Sequence, residues 1–245
     1  MDAENTLPTP ATPPQIRTVD VNRAVEWIAG GFRMFMKAPG TWLLVVLALV
    51  VGLIVTGIVT SFLPEWLRSA LTSILGVVVI GVLMRSCRAF EQGGDFVAHI
   101  QATVALQPLW ILGLISAALN VGLSVLTGVL GLSSFAVVMM NPSSIFHVLG
   151  FGMLVLFAAS ILVSMAVWLA PALIVFKGVA PLEAVRLSFL GTVKNLVPYI
   201  VYSLLGIVIC IVAAIPVFLG FLVVVPMGIC SWYLAYKDIF EGESA

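Results

Sequence analysis

Six apolar stretches, joined by short polar connections, occupy most of this chain. They fall at about residues 41–63, 67–84, 109–132, 148–176, 197–215 and 217–236. Arg68, at the edge of the second, is the one charged residue within them. A helix of about 20 residues crosses a hydrocarbon layer of about 30 Å. The pattern therefore predicts six membrane-spanning helices, the last two of which are divided near Pro216 and Gly220.

The composition indicates a fold surrounded by lipid. Hydrophobic residues make up 62% of the chain and charged residues 9%, against about 45–50% and about 25% in soluble domains. Basic and acidic residues number eleven each, so no broad electrostatic attraction to nucleic acid is expected. The sequence predicts an all-α fold, a polytopic transmembrane helical bundle, with membrane lipids as partners and no nucleic acid.

The basic residues indicate how this bundle is oriented. Six spans place both termini on one side of the membrane, and ten of the eleven Lys and Arg residues then lie on that side. Because positive charge concentrates in cytoplasmic connections, we expect cytoplasmic termini and a bacterial inner membrane. A five-span arrangement would move Lys237 across the membrane, so the side of the C-terminus depends on how the last stretch is divided.

Polar segments flank a single predicted transmembrane domain, residues 20–240. Residues 1–19 contain four prolines, and such a segment cannot bury a core, which predicts a mobile cytoplasmic tail. Residues 241–245 form a second cytoplasmic tail. The cysteines, Cys87, Cys210 and Cys230, have neither metal-type nor disulfide-framework spacing.

Three amphipathic helices are predicted on the cytoplasmic side, each leading into an odd-numbered span. The first follows a cap at Asp20, the second follows Asp95, and the third begins at Pro181. Their apolar stripes are Val21, Val25, Ile28, Phe32 and Phe35 in the first, Phe96, Ile100 and Val104 in the second, and Leu182, Val185, Phe189, Val193 and Leu196 in the third. Such helices lie in the membrane interface.

An apolar and an aromatic residue recur ten positions apart where these helices enter their spans. The pairs are Phe32 and Trp42, Ile100 and Trp110, and Phe189 and Tyr199. One interpretation is three copies of a unit, an interfacial helix followed by a transmembrane hairpin. The other is that any helix entering a membrane shows an aromatic residue at the headgroup level.

Motifs distributed over nearly the whole chain after Asp20 resemble one family. They are Trp27-Ile28, Gly31-Phe32, Phe35, Pro39 and Trp42, then Arg85 with Cys87-Arg88-Ala89, Pro171-Ala172-Leu173, Pro181-Leu182-Glu183-Ala184, Ser188-Phe189 and Tyr236-Lys237-Asp238-Ile239-Phe240. The sequence resembles the proteobacterial BPSS-type integral membrane proteins. That uncharacterised family is distantly similar to the membrane domain preceding some bacterial glycerophosphodiester phosphodiesterases. The resemblance implies an inner-membrane location and a six-helix fold, and it carries no catalytic residues across.

Residue types suited to catalysis or metal binding are sparse. His99 and His147 lie on opposite predicted sides of the membrane, so they cannot share a metal ion. Glu91 and Asp95 flank a Gly-Gly pair and could hold Mg²⁺ for headgroup transfer, but this pattern is also typical of a turn followed by a helix cap. We therefore predict no catalytic, cofactor-binding or metal site, and no enzymatic activity.

Asn120 is the most informative polar residue within the predicted spans. A carboxamide at mid-depth needs a partner on a neighbouring helix or a polar cavity. Ala118 and Gly122 beside it have the small-xxx-small spacing of packed helices, which favours packing over a substrate site. The other polar groups at mid-span are neutral, which disfavours transport coupled to protons or sodium.

Six basic residues are predicted to gather at the cytoplasmic headgroup level, where each contributes about 1 kcal/mol near an anionic surface. They are Arg33, Lys37, Arg85, Arg88, Arg186 and Lys194. Two interpretations are open: an anionic-lipid site, or charges that only set the orientation of the protein.

Three functions are consistent with these features. The first is a non-enzymatic inner-membrane protein in membrane organisation, lipid interaction or assembly, whose partners are lipids and either another protein or a second copy of the chain. The alternative is an uncoupled transporter or channel for a small or amphiphilic solute, which a cavity around Asn120 would favour. The third, a lipid-headgroup enzyme, requires Glu91 and Asp95 to converge in a polar pocket.

Overall fold

The computed structural model describes residues 14–92, 103–104, 106–217 and 219–242, and these residues are mostly helical. The helices are α1 (Arg23–Lys37), α2 (Pro39–Val59), α3 (Glu65–Gln92), α4 (Gln107–Met140), α5 (Ile145–Val167), α6 (Ala170–Lys177), α7 (Pro181–Lys194), α8 (Leu196–Ala214) and α9 (Phe221–Tyr236). A 3₁₀ turn, Pro142–Ser144, precedes α5, and a π-helical turn, Lys237–Glu241, follows α9. The prediction of an all-α bundle is confirmed.

Six helical segments are long and apolar enough to cross a membrane. They are Pro39–Val59, Glu65–Glu91, Gln107–Met140, Gly150–Lys177, Leu196–Ala214 and Phe221–Glu241. Two helices run further than the sequence predicts: α3 continues past Met84 to Gln92, and α4 past Leu132 to Met140. In lipid a backbone must satisfy its own hydrogen bonds, so neither the arginines in α3 nor the small residues in α4 end the helix.

The fourth span is broken where the sequence predicts a kink. Helix α5 ends at Val167, and α6 begins at Ala170 with Pro171 in its first turn. The hydroxyl of Ser188 accepts from the amide of Leu169 at 3.0 Å and donates to the carbonyl of Met165 at 2.9 Å. A side chain of α7 thus satisfies backbone groups that the break releases.

The turn between the last two spans lies where the prolines and glycines predict it. Helix α8 ends at Ala214 and α9 begins at Phe221. A Cβ atom on Gly220 would lie 2.5 Å from the Cα of Ala213, so this close approach of two backbones requires glycine. The described part of the chain, which runs from residue 14 to residue 242, therefore begins and ends at one end of the bundle. We call it the charged end because Glu91, Lys177 and Glu241 lie there.

The predicted N-terminal tail needs a correction at its last residues. Residues 1–13 lie outside the described residues, whereas the segment up to Val19 lies against the charged end. The Arg17 amide donates to the Ile239 carbonyl at 2.9 Å, and the Val19 amide donates to Asn195 Oδ1 at 2.8 Å. These hydrogen bonds join the segment to Asn195, between α7 and α8, and to the π-helical turn, which is why the fold begins before Asp20.

Helices α1 and α7 each bury a face that the sequence pattern did not assign, while most of the apolar stripe predicted to meet the membrane is exposed. The buried face of α1 contains Trp27, Gly31 and Phe35, whereas Val25 is 55% exposed and Phe32 45% exposed. Helix α7 likewise buries its small-residue face, and most of its predicted apolar stripe is partly or fully exposed. Small residues let helix backbones approach closely, so α1 packs on α9 and turns apolar side chains outward. Most of the second amphipathic helix lies outside the described residues.

Packing is uneven among the six spans. Helix α3 packs most extensively on α4, and α1 packs on α9. Helix α2 has only two buried residues, Trp42 and Val46, both near its beginning. Span one is therefore attached at the charged end and diverges from the bundle toward the other end, which leaves an open groove beside α3 and α9.

Candidate functional site

A cavity of about 450 Å³ lies between the helices of the bundle, and its wall reaches from Asn120 within α4 to Tyr199 near the beginning of α8. Helices α3, α4, α5, α8 and α9 each contribute to its wall, together with the break in the fourth span. Its volume lies within the range of about 300–1,000 Å³ that is usual for small-molecule sites. The walls are mainly apolar, and their polar groups are Ser73, Ser116, Asn120, Ser164, Tyr199, Tyr202, Ser203 and Trp232.

The structure places Asn120 in the wall of this cavity, which was one of the two environments considered for it. Its Nδ2 atom donates to the Ser116 carbonyl on the same helix at 2.9 Å. Within the described residues, its Oδ1 atom has no hydrogen-bond partner. Gly122 packs on nothing, since no atom lies within 4 Å of a Cβ built there. The polar groups of the cavity wall, and not packing through Gly122, explain how a carboxamide is accommodated at position 120 within a span.

Several cavity hydroxyls donate their protons to backbone carbonyls. Ser73 donates to Ser69 at 2.8 Å, and Ser203 donates to Tyr199 at 2.8 Å. Ser164 donates to the Ile161 carbonyl at 2.8 Å. Such bonds to the preceding turn are usual for serine in membrane helices. The serine oxygens keep their lone pairs, so each still offers an acceptor.

Two tyrosines extend this arrangement. The Tyr199 hydroxyl lies 3.0 Å from Ser164 Oγ, and the Tyr202 hydroxyl lies 2.7 Å from Ser231 Oγ. Because Ser164 and Ser231 give their protons to the carbonyls of Ile161 and Gly228, the tyrosines act as donors in both pairs. Their protons are therefore also engaged within the protein.

Aromatic rings form the end of the cavity nearest the charged end. The ring of Trp168 lies 4.9 Å from that of Tyr199 and 5.8 Å from that of Tyr202, measured between centroids. Trp27 of α1 meets Tyr202 edge to face at 5.9 Å. Aromatic pairs at such distances are favourable beyond their buried area. The break at Trp168 thus supplies a rigid wall for the cavity.

A second, larger space of about 860 Å³ adjoins the cavity. It is the groove between α2 and α3, α8 and α9, and its lining is almost entirely apolar. Five residues line both spaces: Gly76, Ile80, Tyr202, Ser203 and Trp232. The groove faces the predicted lipid, so the cavity and its polar groups lie next to an apolar path from the bilayer.

The charged end holds a set of ion pairs that we call the charged cluster: Arg23, Arg88, Glu91, Lys177, Lys237, Asp238 and Glu241. Asp238 lies at its centre, with a side chain that is 3% exposed. Arg23 donates to both carboxylate oxygens at 2.7 Å, and Trp27 Nε1 donates to one of them at 2.6 Å. The hydrogen bond to Asp238 raises the pKa of Arg23 above its ordinary value. Arg23 therefore remains a cation at every pH that the protein meets.

The other pairs of the charged cluster join α3 to the end of the chain. Arg88 donates to Glu241 at 2.5 Å, and its guanidinium carbon lies 3.8 Å from the ring centroid of Phe176. Lys237 donates to Glu91 at 2.9 Å. Removing one partner of a buried ion pair costs several kcal/mol. These pairs hold α1, α3, α6 and the π-helical turn together.

The six basic residues predicted to contact lipid lie in different surroundings. Arg33 and Lys37 are exposed and have no ion-pair partner among the described residues. Arg186 pairs with Glu183 on its own helix, and Lys194 donates to the Ile16 carbonyl at 2.7 Å. Arg85 Nη1 lies 3.4 Å from the Thr103 hydroxyl, and Arg88 belongs to the charged cluster. Arg33 and Lys37 are thus the two exposed members of the six that pair with no described group.

The residues considered for a headgroup enzyme are not brought together in the described part of the chain. The Glu91 carboxylate accepts from Lys237 and, at 2.7 Å, from the Tyr233 hydroxyl. Asp95 and His99 lie outside the described residues, and nothing is described of the His147 side chain. Glu91 is therefore part of an internal ion pair.

Sequence reasoning missed the charged cluster and the hydroxyl pairs around the cavity. Arg23 and Asp238 are separated by 215 positions, so no local spacing joins them. The available signal was an acid placed between aromatic and apolar residues at the end of the last span, in Tyr236-Lys237-Asp238-Ile239-Phe240. A carboxylate in such a place needs a cation.

Comparisons of the chain with family models, with curated proteins and with solved structures found no match. The fold and the spans define its class, a multi-pass helical membrane protein. The resemblance to the BPSS-type proteins remains a prediction from the motifs.

Proposed function

We propose that this protein binds an amphiphilic molecule of the membrane, which enters from the bilayer through the groove and places its polar part in the cavity. The carrying observation is that a cavity with several polar side-chain groups in its wall shares five wall residues with an almost entirely apolar groove. Ligand sites in helical membrane proteins lie between helices and combine apolar walls with a few oriented polar groups. This function belongs to the class of lipid interaction without chemistry.

The location that we propose is the bacterial inner membrane, with both termini in the cytoplasm. Ten of the eleven basic residues then lie on the cytoplasmic side, whereas Arg68 pairs with Glu65 at the start of α3. Arg33 and Lys37 lie on the exposed surface of α1 beside Phe32 and Met36. This surface fits the headgroups and upper acyl chains of the inner leaflet.

The same cavity favours a second function, uncoupled transfer of an amphiphile across the membrane. Transporters hold their substrates between membrane helices, and the described residues of this cavity wall include no acid or base for ion coupling. Fluorescent lipid analogues in proteoliposomes distinguish the two functions. Binding without transfer supports the first, and transfer that a change at Ser203 abolishes supports the second.

Native mass spectrometry of the full chain, released gently from membranes, tests the proposed binding. We expect an amphiphile to remain bound, and Ser203→Leu to displace it because leucine would fill the junction between cavity and groove. Ser124→Leu is the matched control, since Ser124 is exposed on α4 and lies outside both linings. A wild-type protein that carries no more amphiphile than Ser203→Leu would contradict the proposal.

A further inference from the structure

Among the residues that the structure describes, the cavity wall contains no charged side chain with which to meet a charged headgroup. Its polar wall atoms belong to serine, asparagine, tyrosine and tryptophan. The guanidinium groups of Arg23 and Arg88 are engaged in the charged cluster. An isolated ion transferred to an apolar environment pays a large desolvation penalty. A phosphate or an ammonium group in this cavity would have no counter-ion, so the polar part of the ligand must be uncharged.

The described part of the wall keeps both acceptors and donors free for a ligand. The protons of Ser73, Ser164 and Ser203 are bonded to backbone carbonyls, so their oxygens offer lone pairs, and the Asn120 Oδ1 atom adds another acceptor. The free donors include the Ser116 hydroxyl and the second Nδ2 hydrogen of Asn120. A hydroxyl group, which both donates and accepts, can satisfy atoms of both kinds, whereas a group that only accepts leaves the free acceptors without partners.

The adjoining groove defines the rest of the ligand. Its walls are apolar. Its volume is almost twice that of the cavity, about 860 Å³ against about 450 Å³. Tyr202, Ser203 and Trp232 lie at the junction, where amphipathic rings fit a boundary between polar and apolar groups. The ligand therefore has a small polar end and long apolar chains.

We propose that the ligand is a neutral lipid with a free hydroxyl group, of the class that includes monoacylglycerol and diacylglycerol. The hydroxyl donates to Asn120 Oδ1 or to the neighbouring serine oxygens, and the acyl chains lie in the groove. This inference rests on the proposed function and assigns the chemical class of its ligand.

The test is a competition-binding measurement on the full chain in nanodiscs made of phosphatidylcholine, which carries no net charge. The probes are dioleoylglycerol, dioleoylphosphatidylglycerol, dioleoylphosphatidylethanolamine and a trimethylammonium amphiphile. We expect dioleoylglycerol to bind with a preference of about tenfold or more over the charged and zwitterionic probes, because it alone avoids burying an unpaired charge. The measurement uses the wild-type protein, so it does not depend on the folding of a variant.

Ser164→Ala supplies a sharper test of the hydrogen-bond assignment. The variant removes the oxygen that accepts the Tyr199 proton. The Tyr199 hydroxyl then becomes a free donor that faces the cavity. Its preference for dioleoylglycerol over the methyl ether of that lipid should fall by about fivefold, the value of one ordinary hydrogen bond. Ser124→Ala, whose serine bonds only to the Asn120 carbonyl of its own helix, should keep the wild-type preference.

The outcomes separate the ligand class from the proposed function. If a phospholipid or the ammonium amphiphile binds best and Ser203→Leu abolishes that binding, the neutral-lipid assignment is overturned while the proposed binding function stands. If no probe shows binding that depends on Ser203, both are overturned.

Discussion

Asp238 receives three hydrogen bonds at a site that is almost completely buried. Two come from Arg23 and one from the indole of Trp27. Trp27 also touches Tyr202, a residue of the cavity wall. One carboxylate therefore orients a side chain that lies between the charged end and the cavity.

Replacing Asp238 by asparagine tests this role. Asp238→Asn keeps the shape but leaves Arg23 only its pair with the more exposed Glu26 on α1, so we expect the free energy of unfolding in detergent micelles to fall by about 2–4 kcal/mol. Since the pKa of Arg23 is raised, its contribution is present below its ordinary pKa and is lost only as the pH rises through the higher folded value. The Arg23 side of the pair should therefore introduce no pH dependence of stability near neutrality.

Glu183→Gln serves as the control, because Glu183 and its partner Arg186 are well exposed. Exposed pairs contribute about 0–1 kcal/mol. Equal losses in Asp238→Asn and Glu183→Gln would show that Asp238 has no special role.

At the scale of single helices, α1 is held by the absence of side chains at Gly30 and Gly31. A Cβ atom on Gly31 would lie 2.9 Å from the Ser231 amide nitrogen and 3.1 Å from its Cβ. Backbone cannot move aside as a flexible side chain can. The sequence pattern predicted an amphipathic α1 with its larger apolar residues toward the membrane, but it did not identify the small-residue face that packs on α9.

Gly31→Ala should therefore separate α1 from α9. We expect a loss of about 1–3 kcal/mol, typical of overpacking, measured as a lower midpoint of thermal unfolding. Gly122→Ala adds the same methyl group where nothing lies within 4 Å and should leave the midpoint unchanged or slightly raised. Equal midpoints for both variants would contradict the close packing of α1 on α9.

Helix α2 should be the most mobile span, since its buried residues lie only near its beginning. Spin labels at Thr56 and Thr72, on opposite walls of the groove, should give a broad distance distribution. Labels at Leu75 and Ile111, exposed positions on the tightly packed α3 and α4, should give a narrow one. Distributions of equal width would show that the groove is a fixed cleft.

Element positions followed from the sequence better than contacts did. Charge-free stretches of membrane length predicted all six spans, and the residues near Pro171 and Pro216 marked the break and the last turn. The charged cluster and the cavity could not be predicted, because both depend on which helices become neighbours. Hydroxyl groups in a membrane helix donate to the backbone of their own helix whether or not they line a cavity. The sequence around Ser164 and Ser203 therefore gave no sign of a shared cavity.

For the whole molecule, six spans and a charged end predict one orientation. A reporter fused after Ala245 should be active only as a cytoplasmic fusion, because the basic residues lie at the end where both termini meet. A second fusion in the turn near Asn141, at the other end, should give the opposite signal. A periplasmic signal at Ala245 would contradict the proposed orientation.

The central claim is that an amphiphile from the bilayer occupies the cavity through the groove. Electron cryomicroscopy of the full chain in nanodiscs made from native lipids tests it most directly. The account predicts density with its polar end beside Asn120 and Ser203 and its chain between α2 and α9. A cavity closed by the surrounding side chains, with lipid density ending at the groove surface, would contradict it.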